Sequence, residues 1–142
     1  MPPRKLKQGL YSAIGARGYR FLHGIFFLAR LLLAMALPAY RPIFFGRDML
    51  ALADRLNPGD IVLDIGAYLG GTAVLFARKV GPTGKVIAFE PFHHAFLSFL
   101  VRLLRLPVQV VSTALGEAGG KSEMVLPVHA GVPLYSQAGF TA

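Results

Sequence analysis

The chain has 142 residues, a formal net charge of +8 and no cysteine. Its length allows one domain plus an appendage, and the lack of cysteine excludes disulfides and thiolate metal sites. The four histidines show no ligand spacing with an acidic residue, so we expect no metal site.

The positive charge is concentrated at the N-terminus. Residues 1–47 contain eight Lys or Arg and no Asp or Glu, whereas residues 48–142 contain seven basic and seven acidic residues. We therefore divide the chain into a basic, apolar arm (1–47) and a neutral domain (48–142). This asymmetry indicates a membrane surface or a polyanion as the partner of the arm.

The arm divides into a basic, Gly-rich segment at 1–20, predicted to be mobile, and an apolar helix at 21–37 that ends before Pro38. The helix is shorter than the roughly 30 Å hydrocarbon core of a bilayer, and Arg30 interrupts it. One predicted face carries Arg20, His23, Phe27 and Arg30, and the other carries Phe21, Ile25, Leu28, Leu32 and Met35. Three interpretations stay open: a helix lying on a membrane or docked on the domain, a membrane anchor, and a signal peptide.

The domain begins with a helix predicted over 48–56, whose inner face carries Met49, Leu52, Ala53 and Leu56. Strands are predicted over 61–65, 85–89 and 108–111, with helices over 72–80 and 92–106 between them. The first strand shows no alternation, which is typical of a strand buried on both faces of a sheet. The predicted inner stripe of the second of these helices is Phe92, Phe96, Phe99 and Leu103. This order predicts an α/β fold, a Rossmann-like parallel sheet with flanking helices.

Two features fall at the carboxyl ends of the first two strands, where open parallel sheets bind ligands. The first is a Gly-rich run at 64–71, in which Gly66 permits a tight turn and the next helix offers free N–H groups. The second is Glu90, which suits acceptance of hydrogen bonds from two ribose hydroxyls. Because Tyr68 interrupts G-x-G-x-x-G and no G-K-[ST] follows, we expect a nucleoside ligand without pyrophosphate, such as S-adenosylmethionine. In the competing interpretation, Asp64 caps a strand end and Glu90 is solvated.

Three motifs occur in order: D-I-G-A-Y-L-G at 64–70, A-F-E-P at 88–91 and A-L-G-E at 114–117. Over 60–118, about 40% of the chain, they resemble the FkbM-type family of class I S-adenosylmethionine-dependent methyltransferases. The resemblance implies S-adenosylmethionine as cofactor and methyl transfer to a hydroxyl of a small molecule or glycan. It implies that Asp64, Gly66, Ala67 and Gly70 line the methionine end, that Glu90 holds the ribose, and that Phe92, Thr113 and Ala114 lie near the adenine. Tyr68 stands where the family often has Asn, so the sequence departs from the family pattern at this contact.

The family carries a later K-[IV]-D-x-E-G-like segment near the methyl group, and this sequence has none. The resemblance therefore implies an incomplete class I fold, truncated after the third strand, with no catalytic residue assigned. Without a fourth strand, residues 61–65 form an apolar edge that favours self-association, unless a further strand at 121–128 covers it.

Two alternatives to methyl transfer stay open: a non-catalytic S-adenosylmethionine-binding fragment and a membrane-surface protein acting through residues 20–37. The expected location is cytoplasmic, with the inner membrane face as an alternative. We expect no nucleic-acid partner, because Gly15 to Gly18 match a GXXG clamp without its surrounding elements. The sequence does not determine the oligomeric state.

Overall fold

The computed structural model describes residues 4–117, residue 120 and four short strands between residues 124 and 140. The chain forms two compact units, Phe26–Leu115 and the combination of Met1–Ile25 with Gly116–Ala142. In the latter unit, β4 (Met124–Val125) pairs antiparallel with β7 (Gly139–Phe140), and β5 (Val128–His129) pairs antiparallel with β6 (Val132–Pro133). The strand predicted over 121–128 thus lies partly outside the described residues, and its described parts belong to these two pairs.

The N-terminal helix is longer than the sequence predicted. Helix α1 spans Arg4–Ala36 and is broken at Gly15, whose backbone is not helical (φ 66, ψ −179). Residues 4–20, which the sequence placed outside the predicted helix, thus lie within α1, and the mobility expected for residues 1–20 stays a prediction. Residues 4–14 consist mostly of good helix formers, and only Gly15 adopts the left-handed φ that interrupts the helix. Among the described residues, no helix is long and apolar enough to span a bilayer.

The predicted parallel sheet is confirmed. Strands β1 (Ile61–Ile65), β2 (Lys85–Phe89) and β3 (Val108–Val111) pair in the order β1-β2-β3. Helices α4 (Gly71–Val80) and α5 (His94–Leu103) make the two crossovers. The fold of this unit is therefore α/β and Rossmann-like.

Both crossover helices pack on one face of the sheet. The strand order advances in one direction, so two right-handed crossovers must fall on the same side. Val86 and Ala88 are buried there against the apolar side chains of α4 and α5. On the opposite face Ile61, Leu63 and Ile65 are 58–70% exposed. The prediction that the first strand is buried on both faces was therefore wrong for the part of the chain that the structure describes.

The second half of α1 docks against the crossover helices. Leu31 is buried with Val74 and Leu100, and the Phe27 ring lies 5.6 Å from that of Phe44. Leu28 and Met35 pack against the same cluster. The predicted division of the helix into two faces was wrong, because Phe27, Leu28 and Met35 all turn toward the core. A helix that is apolar nearly all round has no periodic signal that identifies its buried side.

Helices α3 and α5 differ from prediction in the side chains that they bury. Helix α3 (Arg47–Ala53) buries Ala53, but Leu52 is 49% exposed. In α5 the buried residues are Leu97, Leu100 and Val101, whereas Phe99 and Leu103 of the predicted stripe are exposed. Because α5 contacts both the sheet and α1, its buried arc is set by two neighbours rather than by one. The short helix α2 (Arg41–Phe45) joins α1 to α3 through a turn at Pro38–Tyr40.

Candidate functional site

The loop after β1 crosses the end of β2. The parallel register places Ile65 beside Phe89, the last residues of the two strands. The Phe89 carbonyl then accepts hydrogen bonds from the backbone N–H groups of Gly66 (2.9 Å) and Ala67 (3.1 Å). Two predicted site residues are thereby fixed at the carboxyl edge of the sheet.

Gly66 and Gly70 are required for different reasons. Both have left-handed φ angles, 78° and 91°. A side chain built on Gly66 would meet nothing within 4 Å, so the space before it is open to a ligand. Gly70 is buried, and a side chain there would collide with Leu97. Gly66 therefore belongs to the open part of the site, whereas Gly70 lets α4 and α5 approach closely.

Tyr68 occupies a backbone conformation that few side chains adopt. Its φ is 51°, in the left-handed region that favours Gly and Asn. Its N–H donates to Glu90 Oε2 at 2.8 Å, and its ring lies edge-on to that of His93 at 4.7 Å. These contacts hold the loop over Glu90 in spite of the conformational cost.

Glu90 holds the backbone of both loops at this edge. Its side chain is buried, with 6% of the residue exposed. Oε1 accepts from the N–H groups of Phe92 and His93, both at 2.8 Å, and Oε2 accepts from Tyr68. A carboxylate has about four lone-pair positions, so about one remains. In this arrangement, Glu90 can therefore accept a hydrogen bond from only one of the two ribose hydroxyls that the sequence led us to expect.

Asp64 is the second buried carboxylate of the site. It lies near the end of β1 with 8% of its surface exposed, and its Oδ2 accepts from Thr72 Oγ1 at 2.7 Å. Burial raises the pKa of the Asp64 carboxyl above its ordinary value; the Thr72 hydrogen bond opposes the rise, and the nearby charge of Glu90 adds to it. Oδ1 remains available as an acceptor for a donor on a ligand. The site therefore presents negative charge that is poorly solvated and incompletely satisfied by the protein.

The three residues expected near the adenine follow β2 and β3. The Glu90 N–H donates to the Val111 carbonyl at 3.0 Å, which joins these two strand ends. Phe92 is half-buried beside His93, with its ring centroid 4.7 Å from that of the histidine. Thr113 is exposed and Ala114 is half-buried just beyond β3. All nine predicted site residues thus lie at the same edge of the sheet or in the loops that leave it.

Comparison with known proteins finds only distant structural likeness. No protein-family model matches the chain, and no curated protein sequence matches it. It is similar to a structure described as a candidate rRNA methylase from Clostridium thermocellum (22% identity, TM-score 0.46) over 49% of this chain and 41% of that one. It is also similar to a SAM-dependent O-methyltransferase from Thermotoga maritima (26% identity, TM-score 0.44) over 47% of this chain and 28% of that one. The chain spans less than half of either structure, and at these TM-scores the likeness carries no argument.

Two residues of the site were missed from the sequence. Thr72, the second residue of α4, holds the Asp64 carboxylate. His93 is buried, donates its backbone N–H to Glu90, and lies edge-on to both Tyr68 and Phe92. Thr72 could have been identified from the sequence, because it is a hydroxyl residue in the first turn of the helix that follows an Asp near the end of a strand. His93 had no such signal, because its role depends on contacts between the loops after β1 and β2.

Proposed function

We propose that the chain binds S-adenosylmethionine at the carboxyl edge of its sheet and serves methyl transfer to a hydroxyl of a small molecule or glycan. The observation that carries this proposal is the pair of buried carboxylates, Asp64 and Glu90, on adjacent strand ends beside the open space at Gly66. Burying two like charges is costly, and a ligand that donates hydrogen bonds or carries positive charge would offset part of that cost. A cationic nucleoside has the matching chemistry.

Each residue has a defined task in this proposal. Asp64 Oδ1 accepts from the ammonium of the methionine portion, and the open space at Gly66 admits that portion to the loop. The remaining lone pair of Glu90 accepts from a ribose hydroxyl. Phe92 and Ala114 supply apolar surface for the adenine. When bound, S-adenosylmethionine supplies an electrophilic methyl group on a sulfonium, and the two carboxylates offset its positive charge.

The acceptor class rests on the motif resemblance at 64–70, 88–91 and 114–117 rather than on the geometry of a catalytic group. In such a transfer, the protein mainly aligns an oxygen nucleophile with the methyl group. The uncovered face of β1 supports a second possibility, a cofactor-binding chain that needs a partner for turnover. Transfer of a labelled methyl group to hydroxyl acceptors by the chain alone would distinguish the two.

The decisive variant for the cofactor site is Asp64→Asn. Replacement of Glu90 would also release three backbone N–H groups and so confuse structure with binding. The amide introduced by Asp64→Asn can still accept from Thr72 but lacks the negative charge. In calorimetric titration with S-adenosylhomocysteine, we expect saturable binding by the parent chain and at least tenfold weaker binding by Asp64→Asn, about the effect of one charged hydrogen bond.

The matched control is Asp54→Asn, which makes the same change in an exposed carboxylate paired with Lys79. We expect this variant to bind as the parent does. No binding by a folded parent chain would refute the proposed function. Equal weakening in both variants would assign the effect to net charge and remove Asp64 from the site.

A further inference from the structure

Helix α1 is apolar on both of its sides. One side is buried in the core, where Leu31 and Ala34 have no exposed surface. The other side stays exposed, and we call it, together with the neighbouring residue of α2, the outer face. Its members are Phe26 (64% exposed), Leu32 (45%) and Leu33 (42%) of α1, Leu37 (50%) directly after the helix and, from α2, Ile43 (70%). A helix on a water-facing surface normally carries polar residues there, so an apolar stripe of this extent indicates an interaction surface.

Arginine side chains lie beside the outer face. Arg30 donates from Nε to Tyr40 Oη at 3.1 Å, and its guanidinium carbon lies 5.6 Å from the centre of the Phe44 ring. Arg41 donates from Nε to the Ala34 carbonyl at 3.3 Å. Both residues are exposed. Since residues 1–47 contain no acidic residue, no carboxylate of this segment offsets the positive charge.

We propose that the outer face binds the surface of an anionic lipid bilayer, with its apolar side chains below the headgroups and the arginines against the lipid phosphates. A protein partner would have to supply an apolar groove and acidic residues together, whereas an anionic bilayer presents both everywhere on its surface. Arginine is well suited to phosphate through its planar array of donors. This inference uses no residue of the carboxyl edge and is therefore independent of methyl transfer.

The test is flotation of the purified full chain with vesicles in a density gradient, which separates binding from aggregation. One set of vesicles contains phosphatidylcholine and phosphatidylglycerol, and the other contains phosphatidylcholine alone. We expect the chain to float with the anionic vesicles only, and to float less as salt is raised, because salt screens the headgroup charge.

Two sets of variants examine the two parts of the surface. The triple variant Phe26→Gln, Leu33→Gln and Leu37→Gln keeps the charge, and Gln suits the two helical positions as a good helix former. It should bind anionic vesicles at least about tenfold more weakly. The double variant Arg30→Gln and Arg41→Gln should bind anionic vesicles about fivefold more weakly for each arginine that is replaced. The matched control is Phe99→Gln with Leu103→Gln, two equally exposed apolar residues of α5, which should bind as the parent does.

Circular dichroism establishes that each variant is folded before its flotation is compared. The proposal is overturned if the folded parent does not float with anionic vesicles at low salt, and the outer face is then left to a protein partner. It is equally overturned if the triple variant floats like the parent, or if the α5 control loses as much binding as the triple variant.

Discussion

Asp64 illustrates at the residue scale how a buried carboxylate can oppose stability. Its pKa is raised chiefly by burial, so the folded state holds the proton more tightly than the unfolded state does. The stability from this group is fully present below the unfolded pKa of about 3.9, and it is lost as pH rises through the folded pKa. At neutral pH the buried charge therefore costs stability. Asp64 lowers stability and lies at a strand end beside open space. A functional role therefore explains its presence better than a role in folding does.

We predict that Asp64→Asn is at least as stable as the parent at pH 7, because the substitution removes the buried charge and its amide oxygen still accepts from Thr72. The difference in melting temperature should shrink to near zero below about pH 4, where the parent carboxyl is protonated in both states. Thermal unfolding followed by circular dichroism at the two pH values measures this. A variant that melts well below the parent at pH 7 would contradict the argument.

Tyr68 adds a second cost in stability at the same site, because of its backbone conformation. A left-handed φ costs an ordinary side chain about 1–2 kcal/mol, and Asn tolerates it better than most. Tyr68→Asn loses the edge contact with His93 but relieves the backbone, whereas Tyr68→Val loses the contact and suits this conformation less. We predict that the Asn variant is more stable than the Val variant by about 1 kcal/mol or more in urea unfolding. Equal stabilities would show that φ at this position relaxes freely.

At the scale of elements, the packing of α4 against α5 depends on Gly70. A methyl group there would collide with Leu97 and contact Leu100, in addition to occupying an unfavourable φ. We predict that Gly70→Ala lowers the free energy of unfolding by about 2–4 kcal/mol. Gly66→Ala has a similar φ without the collision and should lose only about 1–2 kcal/mol. Urea unfolding of the two variants side by side measures the difference, and equal losses would mean that α5 moves aside without cost.

At the scale of the whole molecule, the exposed face of β1 and its free edge together favour self-association. Ile61, Leu63 and Ile65 point away from the crossover helices, and among the described residues β1 pairs only with β2. We predict concentration-dependent association that Leu63→Lys reduces, because a charge on an edge strand disfavours further pairing. Leu103→Lys, on the exposed side of α5, is the matched control and should associate as the parent does. Sedimentation equilibrium measures both, and a monomeric parent would contradict the prediction.

Much of the fold could be predicted because it depends on local signals. The three strands occur where short apolar runs are bounded by Gly and Pro, and the alternation of strands and helices predicts a parallel sheet with right-handed crossovers. The location of the candidate site could also be predicted, since residues that end neighbouring parallel strands must meet at one edge. Asp64, Gly66 and Glu90 meet there for that reason.

What only the tertiary structure decided is which groups face one another. The buried sides of α1 and α5 could not be predicted, because both helices are apolar on several sides. The elements packed against each helix determine which of its sides is buried. The uncovered side of β1 has the same origin, since a strand sequence does not say on how many faces helices will pack. The three backbone donors on Glu90 and the hydroxyl on Asp64 come from loops whose approach depends on backbone angles and packing. Sequence therefore determined the order of elements and the edge at which the candidate site lies. Packing determined which side chains are buried and how many hydrogen bonds Asp64 and Glu90 can still accept.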